Sequence, residues 1–113
     1  MTASFQPSGA ITDYCNEKVK GIYDTLKPYA IDSYSGKVKV VRKDLTALQN
    51  DGKYEGEWSV KENMRHGAGI QVWNDGSIYE GLWEHDKAAG PGRLIHADGD
   101  VYEGNWKDDK ADG

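Results

Sequence analysis

Tyr54-Glu55-Gly56-Glu57-Trp58 recurs as Tyr79-Glu80-Gly81-Leu82-Trp83 and again as Tyr102-Glu103-Gly104-Asn105-Trp106. The tyrosines lie 25 and then 23 residues apart, and a near-constant step of this length marks a stacked repeat. Between the copies Gly67-Ala68-Gly69 matches Gly90-Pro91-Gly92, and Asp75-Gly76 matches Asp98-Gly99, while Asp51-Gly52 precedes the first copy. Trp58 to Gly67 is nine positions but Trp83 to Gly90 is seven. Two extra residues therefore fall in the 59–66 connection, where an insertion leaves the strands in register.

Each unit reads as a β-hairpin. Residues 68–73 form one strand, and 78–83 return antiparallel to it. Asn74-Asp75-Gly76-Ser77 joins them, since Asp-Gly supplies the positive φ angles of a tight turn. Residues 92–96, 97–99 and 101–106 repeat the plan. Strand alternation puts Tyr79, Gly81 and Trp83 on one face and Ile78, Glu80 and Leu82 on the other. A glycine between two aromatics weakens a strand unless something approaches its backbone closely. A neighbouring ring is that something, which predicts a Tyr/Trp ladder laid over glycines. One such hairpin buries too little to stand alone, so neighbours, a cap or a partner must complete it.

These residues resemble the MORN family (membrane occupation and recognition nexus repeats), whose pattern is Tyr-x-Gly-x-Trp, a short polar connection, Gly-x-Gly and then Asp-Gly before the next Tyr. The copies are most similar to those of MORN proteins from ciliated single-celled eukaryotes. The resemblance implies a mainly β fold: an elongated single-layer antiparallel sheet of MORN-type hairpins with an aromatic-lined groove. The repeat array spans 51–113, with units at 54–78, 79–101 and a partial 102–113. The array stops at Gly113, where the next hairpin would begin, so either the chain is a fragment or another protein covers that edge. Proteins with such repeats are often labelled phosphatidylinositol-phosphate kinases by similarity, but no kinase domain accompanies the repeats here.

Residues 1–50 are different. Residues 1–9 read as an arm. Ile11, Tyr14, Cys15, Val19, Ile22, Tyr23 and Leu26 then fall at helical spacing, predicting an amphipathic helix over about 12–27. Thr12 is the expected N-cap and Lys27-Pro28 the stop. Tyr34-Ser35-Gly36-Lys37-Val38 is either a decayed repeat or a linker carrying a short strand. The helix has two uses: capping the first hairpin, or laying its apolar stripe in an aromatic groove.

Composition closes several classes. The 113 residues include four Trp, seven Tyr and 14 Gly but one Phe, with a mean hydropathy of -0.80. No apolar run reaches the ~18–20 residues of a membrane helix, and no secretory leader is legible at the start. Cys15 is the single cysteine, so no internal disulfide forms and a reducing, cytoplasmic setting is expected. Residues 1–50 carry a net +2 and residues 51–113 a net -7. A half with that excess of carboxylates excludes nucleic acid as a partner.

Catalytic chemistry is absent from the pattern. Glu55, Glu80 and Glu103 recur with the repeat and read as a solvated face. His66, His85 and His96 occupy unrelated repeat positions without cysteines at ligand spacing, so no metal and no cofactor are expected. Gly67-Ala68-Gly69 lacks the Lys-Ser/Thr of a phosphate loop. The chain is therefore expected not to be an enzyme.

The aromatic set remains. Tyr54, Trp58, Tyr79, Trp83, Tyr102 and Trp106 serve either as ladder alone or as partner-binding anchors on an open face. Trp73, where the second unit has His96, is the anchor peculiar to this chain. The leading function is a structural or adaptor module that docks in a larger eukaryotic assembly. The family resemblance sets that assembly in the axoneme or cytoskeleton of a cell or cilium, with a helical or extended protein segment in the groove. One alternative is phospholipid binding through Lys37, Lys39, Arg42 and Lys43, disfavoured by the charge of the repeats. Another is a regulatory region of a longer enzyme such as a lipid kinase. Homodimerisation through a sheet edge is a further expectation.

Overall fold

The computed structural model describes Phe5, residues 7–48 and residues 52–112. Most of the N-terminal arm (1–4 and Gln6), Asp51 of the first Asp-Gly pair and Gly113 lie outside the described residues. The chain forms one open antiparallel sheet in sequence order. Its strands are β1 (Val40–Ala47), β2 (Lys53–Ser59), β3 (Met64–Val72), β4 (Ile78–Glu84), β5 (Lys87–Ile95), β6 (Val101–Lys107) and β7 (Lys110–Ala111). A 3-10 turn (Ala10–Tyr14) and helix α1 (Glu17–Leu26) precede them.

Two kinds of turn alternate. In the Asp-Gly loops the Trp73 N–H donates to Ser77 O at 3.0 Å, and His96 N–H to Asp100 O at 2.8 Å. Gly76 and Gly99 take φ of 90° and 101°, as the Asp-Gly pairs predict. At the opposite end of the sheet, His85-Asp86 and Asp108-Asp109 form two-residue turns with φ positive at both positions, the geometry that matches strand twist. The registers of β2–β3 and β4–β5 both slip between the central glycine and the tryptophan, at Gly56/Trp58 and Gly81/Trp83. An irregularity that recurs with the unit belongs to its design, and it re-aims the tryptophan.

The two faces bury different material. On one, Tyr54, Trp58, Tyr79, Trp83 and Ala88 form an aromatic cluster, with Leu48, Trp73, Leu94 and Trp106 against it. On the other, Ala68, Ile70, Val72, Ile78 and Ile95 form an aliphatic floor. The N-terminal segment covers that floor with Phe5, Ile11, Val19, Tyr23 and Ile31. The helix thus takes neither expected position: its stripe lies on the aliphatic face, away from the aromatic rings. Periodicity says that a face is buried, not against what, and aliphatic Val19 fits beside isoleucines.

The helix also starts later than expected. Asn16, not Thr12, is its N-cap, with Oδ1 accepting the Val19 N–H at 2.8 Å. The Asn16 amide also donates to Ala97 O at 3.0 Å and Asp75 O at 3.3 Å, so the cap ties the helix to two Asp-Gly loops. Thr12 instead closes the 3-10 turn by donating to Gly9 O. Lys27 ends the helix as predicted, with φ of 70° before Pro28. Residues 34–38 form no strand. Yet a Cβ on Gly36 would meet the Tyr34 hydroxyl at 2.2 Å, so the tyrosine covers the glycine two residues on, as in the repeats.

Candidate functional site

The aromatic face is a continuous ladder of rings, edge-to-face at every step but the tilted Trp58–Tyr54 pair. Ring centroids step from Trp58 to Tyr54 (5.8 Å), Trp83 (5.9 Å), Tyr79 (5.1 Å), Trp106 (5.2 Å) and Tyr102 (5.3 Å). Each tyrosine lies flat over glycines. The Tyr54 hydroxyl stands 2.1 Å from where a Gly69 Cβ would be, and the Tyr79 hydroxyl 2.2 Å from that of Gly92. The hydroxyls then donate to the carbonyl three residues on: Tyr54 to Glu57 O at 2.7 Å, Tyr79 to Leu82 O at 3.1 Å. Indole N–H groups donate to the preceding glycine strand, Trp83 to Gly69 O and Trp106 to Gly92 O. Trp58 has no such strand before it and donates to Asn63 of its own longer loop. Ring polar groups are thereby satisfied without a partner.

Exposure separates ladder from groove. Tyr54, Tyr79 and Trp83 are buried, and Trp58 nearly so. Burial pushes the hydroxyls of Tyr54 and Tyr79 far above the usual tyrosine range. Arg65 covers Trp83 at 4.1 Å and Lys43 covers Trp58 at 4.4 Å, both as cation–π contacts. Trp73, Tyr102 and Trp106 remain half-buried. Trp73, Trp83, Tyr79, Leu94 and Trp106 line a depression of about 350 Å³ rimmed by Asp75, Asp109, His96 and Arg65. A second hollow of about 490 Å³ continues past Arg65 and Trp73 towards Trp58, Leu48 and Lys43. Trp73 and His96, the mismatched pair of the repeat, stand in the same groove.

The recurring glutamates are not a solvated face. Glu55 and Glu80 are 0% and 1% exposed. Glu55 accepts the Ser8 N–H and hydroxyl at 2.8 Å each, and Arg42 pairs with it. Glu80 accepts the Tyr29 N–H at 3.1 Å and pairs with Arg93, itself buried, at 2.7 Å. Burial is the largest influence and holds the Glu80 carboxyl above its usual range, against the opposing pull of Arg93 and the Tyr29 N–H. Glu57 accepts the Tyr34 N–H at 2.8 Å. The row of carboxylates thus clasps the N-terminal segment by its backbone. Glu103, half exposed, keeps only a 3.4 Å contact to Arg93.

The four basic residues do not share a face. Arg42 is turned to Glu55 and over the Phe5 ring, Lys43 lies on the aromatic side, and Lys37 and Lys39 are exposed ahead of β1. At the far end of the sheet, Glu62, His66 and His85 come together, each with a ligand atom within 4.8 Å of the others. His66 is buried, and burial together with His85 lowers its pKa. No helix among the described residues is long and apolar enough to cross a membrane.

Comparison with known proteins agrees with the repeat geometry. The MORN repeat family matches at residues 54–78, 79–101 and 102–113, more than half of the sequence. The chain belongs to the MORN repeat family. No curated protein matches the chain. MORN repeats are a generally non-catalytic module, often involved in protein or membrane interactions. The three matched MORN segments coincide with the Tyr-to-Tyr units, so the family pattern and the ladder over glycine are one feature seen twice.

Proposed function

We propose that this MORN chain is a non-enzymatic docking module whose aromatic groove holds a helical or extended segment of another protein. One observation carries the reading. The chain possesses a covering segment of its own, yet spends it on the aliphatic face and leaves Trp73, Leu94, Tyr102 and Trp106 partly uncovered. Half-buried tryptophans beside carboxylates and an arginine form the usual anchor set of a protein interface. Tyr54 and Tyr79 act as the floor that holds these anchors in place, not as contacts. A cytoskeletal or axonemal assembly is the setting proposed, on the strength of the resemblance to MORN proteins of ciliated cells.

Phospholipid binding has less support. Arg42 is committed to Glu55, Lys43 lies on the opposite face, and the array carries -7. The test is a photo-crosslinker placed at Trp73 in the full chain, in extract from cells that express it. The proposal expects crosslinks to a discrete protein segment, lost in a Trp106→Ala background and absent when the probe replaces exposed Val60. Unchanged crosslinking after Trp106→Ala, or retention of the chain by anionic vesicles with release on Arg42→Gln/Lys43→Gln, overturns it.

A further inference from the structure

Residues that break a repeat carry information that residues obeying it do not. His66 occupies the position of Ala89 in the next unit, and His85 that of Asp108. Glu62 lies within the connection that is two residues longer in the first unit. These departures are scattered in sequence, but the fold converges them. The His85 Nδ1 stands 3.2 Å from Glu62 Oε1, and the His66 and His85 rings meet edge-on with centroids 4.9 Å apart. All three are metal-ligating types, and one ligand atom from each falls within 4.8 Å of the others. His66 and His85 also line an open hollow of about 370 Å³, with Tyr34, Gly67 and Gly90.

We propose that Glu62, His66 and His85 form a binding site for one divalent transition ion of the zinc class. Two imidazoles and one carboxylate are a recurrent zinc set, leaving the fourth position to water. Ligands about 2.0–2.1 Å from a tetrahedral ion lie about 3.4 Å apart, so the widest separation here closes by up to about 1.4 Å. The freedom for that lies in two solvent-facing side chains, Glu62 in the β2–β3 loop and His85 in the β4–β5 turn. An ion on His66 Nδ1 displaces the His85 N–H that donates there at 3.1 Å, whereas one on Nε2 leaves that bond in place. Once bound, it clips the β2–β3 loop to the β4–β5 turn.

The experiment is zinc chloride titration of the chelator-stripped full chain by calorimetry, with cobalt(II) absorption reporting geometry. Expected are one ion per chain and the intense visible bands of tetrahedral cobalt. His85→Ala and Glu62→Gln should each weaken binding at least about tenfold. Both side chains are solvent-facing, and circular dichroism without metal checks that the variants keep the fold. His96→Ala, the histidine outside the cluster, should bind as wild type. No saturable zinc binding, a loss smaller than about tenfold in either cluster variant, or an equal loss in His96→Ala overturns the proposal.

Discussion

Replacing Gly69 with alanine tests the ladder where it is tightest. Gly69 lies mid-strand without a positive φ, so its backbone accepts alanine, and on propensity alone the change would be neutral to slightly stabilising. Packing reverses the sign. The new Cβ would stand 2.1 Å from the Tyr54 hydroxyl and 2.5 Å from its Cζ. The Tyr54 ring cannot swing aside, because it is fully buried between Trp58 and Trp83. Displacing it overpacks the site at about 1–3 kcal/mol. It also breaks the 2.7 Å bond to Glu57 O, about 1 kcal/mol, and loosens two ring contacts of about 0.5–1 kcal/mol each. The sum is a loss of about 3–6 kcal/mol.

The repeat supplies internal controls. At Gly104 the Tyr102 hydroxyl is 2.7 Å from the added Cβ, but that ring is half-buried and can yield, so Gly104→Ala costs about 1 kcal/mol. Gly21, in α1, has nothing within 4 Å, and Gly21→Ala stabilises by about 0.5–1 kcal/mol. Urea unfolding of the three variants gives the order directly. A Gly69→Ala protein within about 0.5 kcal/mol of wild type, or no less stable than Gly104→Ala, refutes ring-over-glycine packing as the organising contact.

Two further outcomes follow from the covered face. Glu55→Gln neutralises a buried carboxylate that holds Ser8 and meets the exposed Arg42, costing about 1.5–3 kcal/mol through its charged hydrogen bonds and exposing the Ser8 amide to hydrogen exchange, whereas Glu103→Gln, half exposed, costs under about 1 kcal/mol by the same unfolding assay. Burial, reinforced by the Glu80 charge, pushes the Cys15 thiol up to about 11 from 9.0, so at pH 8 it holds about a hundredfold less thiolate; iodoacetamide should alkylate it that much more slowly in the native chain than in denaturant, and equal rates would contradict its packing against the aliphatic core.

What the sequence discloses follows from how local the cause is. Tyr79-Gly81-Trp83 alternation, the Asp-Gly turns and the insertion before Gly67 are set by residues a few positions apart, and the sheet keeps all three. The clasp is not local. Ser8 meets Glu55 across 47 residues and Tyr29 meets Glu80 across 51. A recurring glutamate looks the same in sequence whether water or a distant N–H satisfies it. Arg93, on the same face as Glu80, was the legible hint of a buried pair. The helix stripe announced burial but not its floor. The Glu62–His66–His85 cluster was hidden because its histidines share no repeat position, although their departure from Ala89 and Asp108 is the signal that marks them.

Paramagnetic solvent mapping by NMR, with a soluble gadolinium chelate added to the isotope-labelled chain, tests most directly which side of the sheet awaits company. The account predicts strong broadening of the Trp73 and Trp106 ring protons and almost none of the Ile70, Ile78 and Ile95 methyls beneath the N-terminal segment. Broadened isoleucine methyls with shielded tryptophan rings would show that the chain covers its aromatic side instead, and would contradict it.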